Sequence, residues 1–284
     1  MKQLLILSGK GGTGKTTVAS AFIKLSEARA FADCDVDAPN LHLILHQSSE
    51  ARRANFYGMS KAAIDPELCV QCGLCQQYCH FEAIQAGSPY NVDSFACEGC
   101  GVCEAICPVK AISYQPSVAG ELMLYSGDRV FSTARLKMGS GNSGMLVTEV
   151  KRYMKYTAIN ADLAIIDGSP GIGCPVIASL NGVDMVLIVA EPSISGISDM
   201  ERIIKTAEKF QTRIAICINK FDVSQENTEK IESFCQRLRL PIVGKIPFDP
   251  AAVKAINEGK SIVEMDCASG RAVKDIFAQT VSLL

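Results

Sequence analysis

The sequence predicts an α/β fold: a doubly wound, mostly parallel sheet interrupted by a small α+β module. Three observations predict it. An apolar run, Leu4-Leu5-Ile6-Leu7, enters a glycine-rich loop that opens a helical pattern. Two further apolar runs of strand length, Leu163–Ile166 and Met185–Ala190, recur in the second half and read as strands buried on both faces. Between these parts lies a segment of different composition, dense in cysteine.

At the head of the chain, Gly9 to Thr16 satisfies G-x-x-x-x-G-K-[ST]. Glycines there let successive backbone N–H groups face a triphosphate, Lys15 adds a point charge, and Thr16 adds a hydroxyl for magnesium. Gly11, Gly12, Thr13, Gly14 and Thr17 complete the expected ATP cradle. A helix is expected from about Thr16 to Ala28, with Val18, Ala21, Phe22 and Leu25 at helical spacing.

A second strand, Ala30-Phe31-Ala32, delivers Asp33-Cys34-Asp35-Val36-Asp37, alternate carboxylates past a strand end. Ligands of open α/β sheets collect beyond that edge. Residues 51–63 then lose periodicity.

Between Asp65 and Gln115 stand six acids and one base, Lys110, with eight cysteines in two runs. Cys69, Cys72, Cys75 and Cys79 form the first, and Cys97, Cys100, Cys103 and Cys107 the second, which Pro108 follows. Three thiolates two residues apart wrap one iron–sulfur cube and the fourth reaches the other. The expected ligand sets are therefore Cys69, Cys72, Cys75 and Cys107 for one 4Fe–4S cluster, and Cys79, Cys97, Cys100 and Cys103 for the other. Zinc also favours Cys-x2-Cys pairs, but it leaves the third cysteine of each run unexplained. The two halves read as an internal repeat. Expected boundaries are 1–63 and 116–284 for the nucleotide domain and 64–115 for the insertion.

Residues 120–156 are less legible. Ser143 can cap a following helix, in which Met145 and Met154 read as core. Leu163–Ile166 ends in Asp167-Gly168-Ser169-Pro170-Gly171, a D-x-x-x-G arrangement that places Asp167 on magnesium and the N–H of Gly171 near the γ-phosphate. Cys174 reads as a small apolar residue opening a buried helix. Another strand leads to Glu191-Pro192-Ser193, with a helix from about Ser198 to Phe210. Arg213–Ile218 is a strand ending in Asn219, a candidate for the nucleotide base. Asn219-Lys220-Phe221-Asp222 also spells N-K-x-D, which keeps guanine open as the alternative. Helices are expected at Ala251–Glu258 and about Gly270–Leu283.

Lys10-Gly11-Gly12-Thr13-Gly14-Lys15-Thr16 resembles the deviant Walker A sequence of the MinD/ParA superfamily, which includes Mrp and nitrogenase-iron-protein-like ATPases. The cysteine segment resembles a two-cluster bacterial ferredoxin, with His80 where that pattern usually has proline. Together they resemble MinD-superfamily ATPases carrying an inserted ferredoxin-like domain. The resemblance implies a homodimer with Lys10 reaching across to the partner's nucleotide, and Asp35 orienting or deprotonating the attacking water. It also implies adenine recognition by Asn219, a loop at Pro247 packing on the base, and a protein electron acceptor or metallocluster client as partner. The alternative it leaves is a positioning or regulatory ATPase whose clusters sense redox state.

Hydrophobic residues at 48% with charged residues at 20% exclude disorder and describe an ordinary globular chain. A net charge of −2 gives no expectation of nucleic acid or anionic membrane as partner. Arg271 and Lys274 are the only bases on the last helix, so it is expected to pack on the core. No 18-residue apolar run occurs and the N-terminus reads as a core strand, so a cytoplasmic protein is expected. Cys34, Cys217, Cys235 and Cys267 show no metal spacing.

Overall fold

The structure, a computed structural model, describes residues 1–47 and 49–284. In chain order the elements begin with β1 (Lys2–Leu7), α1 (Lys15–Leu25), β2 (Ala30–Asp33) and α2 (Leu41–Ile44). There follow β3 (Arg52–Tyr57), β4 (Lys61–Ile64), α3 (Leu74–Gln77), β5 (Ile84–Gln85), β6 (Asn91–Val92), α4 (Val102–Ile106) and β7 (Ile112–Gln115). After β8 (Val118–Ser126) and β9 (Val130–Leu136) come α5 (Ser143–Thr157), β10 (Leu163–Asp167), α6 (Cys174–Leu180) and β11 (Met185–Ala190). The chain ends with α7 (Ile194–Lys209), β12 (Arg213–Asn219), α8 (Gln225–Leu238), β13 (Ile242–Ile246), α9 (Pro250–Asn257) and α10 (Ala268–Leu283).

Two compact units result. Met1–Arg53, Leu122–Arg135 and Ser143–Leu284 make the first, Ala54–Glu121 and Leu136–Asn142 the second. The second is broader than the segment that cysteine content marks out.

In the first unit seven strands pair in parallel in the order β13-β12-β11-β1-β10-β2-β9. β1 lies between β10 and β11, with Leu4 opposite Ile165 on one side and Met185 on the other. Leu4 to Leu7 are wholly buried, as a strand covered on both faces requires. One helix layer contains α1 and α10, where Phe22 and Phe277 meet edge to face at 5.1 Å. The other contains α5, α6, α7 and α8. Every parallel strand presents its C-terminal end at the same edge, which brings Asp33, Asp167 and Asn219 together there.

The second unit holds two antiparallel pairs, β4 with β7 and β5 with β6, around a small core of Ala62, Ala83, Ile84, Cys97, Cys103 and Ile112.

Several expectations change. α1 stops at Leu25: Ser26 still bonds back to the Phe22 carbonyl, and Glu27 at φ 49° then turns into the left-handed region that ends a helix. The aperiodic stretch 51–63 holds β3 and most of β4, and residues 120–136 hold most of β8 and all of β9. α5 begins at Ser143 itself, so this residue lies in the first turn and not before it. Met154 is core, but Met145 is 48% exposed, because the buried face of α5 runs through Leu146, Val147, Val150, Lys151 and Met154. Cys174 is exposed, since α6 buries Val176, Ser179 and Leu180. α7 starts earlier than expected, capped by Ser193, whose Oγ accepts the Gly196 N–H at 3.1 Å. α10 packs through Val273, Ile276 and Thr280, as a core helix should. Among the described residues no helix is long and apolar enough to cross a membrane.

Candidate functional site

Residues 8–14 join β1 to α1 and form one wall of a cleft of about 640 Å³. Gly12 and Gly14 have φ of 80° and 92°, the left-handed region where glycine costs least. At Gly14 a side chain is also excluded by space, since a Cβ would lie 2.3 Å from Asn219 Nδ2. That same amide donates to the Thr13 carbonyl at 2.6 Å, and Lys220 Nζ donates to the Gly12 carbonyl at 3.0 Å. Carbonyls drawn to one side leave N–H dipoles for the other, the arrangement of an anion-binding nest. Lys10, Gly11, Gly12, Thr13, Gly14, Lys15, Thr16, Thr17, Asp35, Asn219 and Pro247 all line the cleft.

Lys15 Nζ lies 2.6 Å from Asp167 Oδ1, and Thr16 Oγ1 donates to Asp167 Oδ2 at 2.7 Å. Lys15 and Asp167 are both buried. Burial works against the Lys15 charge, but the carboxylates of Asp167, Asp33 and Asp35 outweigh it and hold the ammonium above its ordinary pKa. Asp35 is driven upward chiefly by burial, with Lys15 opposing.

Asp33 is the residue that pattern reading passed over. It is fully buried, and its carboxylate accepts the N–H groups of Asp35, Asn40 and Leu41, each at 3.0 Å. It thereby shapes the segment that carries Asp35. Burial, then the charge of Asp167, pushes its pKa up to about 7. Its place as the last residue of a strand, before an Asp-x-Asp turn, is the signal that marks it.

The two segments that follow β2 and β10 touch directly. The Cys34 N–H donates to the Asp167 carbonyl at 2.7 Å, and Ser169 Oγ donates to the Cys34 carbonyl. Gly171, at φ 92°, gives its N–H to the Ser8 carbonyl at 3.0 Å. Lys10 Nζ is 3.1 Å from Ser193 Oγ and 3.5 Å from Glu191 Oε2, while Glu191 Oε1 is 3.6 Å from Lys220 Nζ. Asp222 of the N-K-x-D run takes the Phe248 N–H at 2.7 Å, and Asn219 Oδ1 takes that of Lys220.

In the second unit the eight cysteines divide between two small cavities. Cys69, Cys72, Cys75 and Cys107 line one, beside Ile64, Leu74 and Ile112. Cys79, Cys97, Cys100 and Cys103 line the other, beside Ala62, Ile84 and Val92. Among the described residues no group of three or more His, Cys, Asp or Glu side chains is arranged as a site for a single metal ion. Four thiols and an apolar wall are nonetheless the donor set that an iron–sulfur cube takes, and the cube spaces its ligand sulfurs more widely than one ion does. The residues present fit that group.

Comparison with known proteins gives the family and the fold. Residues 4–262 match the family model described as the CobQ/CobB/MinD/ParA nucleotide binding domain. An uncharacterized protein of Methanocaldococcus jannaschii is 31% identical over 280 residues, covering 97% of this chain and 95% of its own. An uncharacterized ATP-binding protein of the same organism is 25% identical over 286 residues, covering 98% and 87%. Among solved structures, the septum site-determining protein MinD of Pyrococcus horikoshii, complexed with Mg-ADP, superposes with a TM-score of 0.60 at 18% identity, covering 99% of this chain and 96% of that one. With its phosphate loop, its acidic sheet edge and a family match over most of its length, the chain belongs to the CobQ/CobB/MinD/ParA nucleotide-binding family and is a P-loop ATPase of the MinD/ParA kind.

Proposed function

We propose that this ATPase works as a nucleotide-dependent homodimer whose cysteine-rich unit carries two 4Fe–4S clusters, coupling nucleotide state to electron transfer or to metallocluster assembly on a partner protein. The observation that carries the proposal is the division of eight cysteines into two cavities, each lined by one of the ligand sets that crossed ligation requires. Such clusters supply one-electron exchange at low potential. The Mg-ADP bound by the Pyrococcus horikoshii MinD supports ATP and magnesium as this chain's ligands.

In the nucleotide site Lys15 would bind the terminal phosphates and Thr16 and Asp167 would hold magnesium, with the N–H groups of residues 11–16 around the phosphate oxygens. Lys15 and Asp167 already form an ion pair, so nucleotide and magnesium together would replace that pair with phosphate and metal contacts. Asp35 would orient the attacking water or take its proton, a role that a carboxyl of raised pKa suits. Lys10 would act on the partner's nucleotide. Gly171 would transfer its N–H from the Ser8 carbonyl to the γ-phosphate, so that hydrolysis is felt on the segment joining β10 to α6. Asn219 and Pro247 would flank the adenine.

The test is an anaerobic redox titration of reconstituted protein, following cluster EPR signals without nucleotide, with ADP, and with a non-hydrolysable ATP analogue. Potentials that move with nucleotide are expected. Curves that coincide would favour the second reading, a MinD/ParA-like positioning or regulatory ATPase whose clusters sense redox state, and failure to take up iron would end both cluster readings.

A further inference from the structure

The two cysteine cavities differ in what surrounds their sulfurs. At the Cys79, Cys97, Cys100 and Cys103 cavity, Tyr114 Oη lies 3.7 Å from Cys103 Sγ. The direction of this hydrogen bond follows from a third group. The Gly101 N–H donates to Tyr114 Oη at 2.9 Å, which occupies an acceptor position and turns the phenolic proton toward the sulfur. A coordinated thiolate carries no proton, so the tyrosine is the donor.

A cation stands beside the same cavity. Lys61 Nζ donates to the carbonyl of Cys97. Lys61 and Tyr114 are brought there by one pairing, β4 against β7, in which Ala62 is opposite Tyr114 and Lys61 opposite Gln115. Each cavity also has backbone donors to its sulfurs, Glu104 to Cys103 here, and at the other cavity Gln76 to Cys75 and the Ala111 N–H to Cys107 Sγ at 3.2 Å, so the tyrosine and the lysine are what sets this cavity apart. Tyr90 lines that cavity, but its Oη lies beside Gly73, 3.3 Å from where a Cβ there would sit.

Reduction adds one negative charge to a cluster. A hydrogen bond to a ligand sulfur and a nearby ammonium both stabilise that added charge and raise the potential. We infer that Tyr114 and Lys61 are positioning residues for redox order, making the Cys79/Cys97/Cys100/Cys103 site the more readily reduced of the two. Exchange between the sites is then downhill toward it: the Cys69/Cys72/Cys75/Cys107 cluster loses one electron and the other gains it, with no proton or further reactant. This inference rests on the two-cluster reading above.

The experiment is a dithionite titration of the full-length reconstituted protein, monitored by EPR and visible absorption, on wild type, Tyr114→Phe, Lys61→Met and Tyr90→Phe. Selective loss of signal in Cys100→Ser assigns the waves. In wild type the wave belonging to Cys100 is expected at the higher potential. Tyr114→Phe should lower that wave alone, by ~3-fold to ~10-fold in the reduction constant, ten-fold being about 59 mV for one electron. Lys61→Met should move the same wave in the same direction, and Tyr90→Phe should leave it in place. A Tyr114→Phe protein with full iron content and unchanged waves, or a wild type in which the Cys100 wave is the lower, overturns the inference. A wild type that binds no iron overturns the cluster reading itself, and iron analysis before titration separates the two failures.

Discussion

Asp33 and Asp167 are paired neighbours at the ends of parallel strands β2 and β10, two carboxylates side by side at one dry sheet edge. Burial and the Asp167 charge hold the Asp33 proton to about pH 7, whereas an unfolded aspartate releases it near 3.9. The folded chain therefore binds this proton more tightly than the unfolded one. The resulting stabilisation is complete below about pH 4 and is lost as pH rises to about 7, with a slope of at most about 1.36 kcal/mol per pH unit. Urea midpoints measured without nucleotide between pH 5 and 7.5 should fall more steeply in wild type than in Asp33→Asn. Parallel slopes would remove Asp33 as the titrating group.

Lys15→Ala should abolish nucleotide binding and leave iron content intact. The variant also strands the Asp167 charge in a buried site, so a loss of about 3–5 kcal/mol in stability is expected alongside. Calorimetric titration with ATP and magnesium reads the first effect and urea unfolding the second. Loss of iron in this variant would contradict independent units.

Asp35→Asn should slow hydrolysis by about 10²–10⁴-fold while ATP affinity stays within a few fold, as expected of a group that acts on water and not on the ground-state phosphates. Single-turnover phosphate release reads the rate. Unchanged turnover would move the catalytic role to Asp37.

Asn219 holds the phosphate loop through its side chain, besides the recognition role proposed for it. Asn219→Ala removes the donor to the Thr13 carbonyl and should weaken binding of ATP and of inorganic triphosphate alike, by roughly ten-fold at 1–1.5 kcal/mol for the bond. A loss confined to ATP would mean that the residue acts only on the base. Because Asp222 is engaged with the Phe248 N–H, ATP should outcompete GTP, and competition binding checks this.

Lys151 caps α6 from outside its own helix. Its buried ammonium donates to the carbonyls of Ser179 at 2.6 Å and Asn181 at 2.7 Å, and burial lowers its pKa to about 8. Lys151→Met should cost about 2–3 kcal/mol by leaving those carbonyls unpaired, which thermal unfolding at pH 7 reads directly. A stability change under 0.5 kcal/mol would show that water replaces the ammonium.

What could be read from sequence was local. The phosphate loop is one contiguous run, and the cysteine spacings are fixed within two short segments, so neither needs the fold to become visible. Asp33 acquires its proton affinity from burial and then from Asp167, and Lys10 its contact from Glu191, surroundings that only the sheet assembles. β8 was hard to read because burial alternates irregularly along it, with Ala119, Gly120, Leu122 and Leu124 covered. Met145 and Cys174 lie exposed where an apolar reading puts them in the core, because composition does not say which side of a helix faces inward.

The central place of β1 also fixes an order of events during synthesis. Its neighbours, beginning at Leu163 and Met185, leave the ribosome long after Leu4, on the order of ten seconds at 5–20 residues per second. β4 and β7, which pair with each other, are both made before either neighbour. The cysteine-rich unit has all its strands in hand while the sheet around the phosphate loop still lacks its middle, so the cluster loading proposed above would begin on a nascent chain that cannot yet hold ATP.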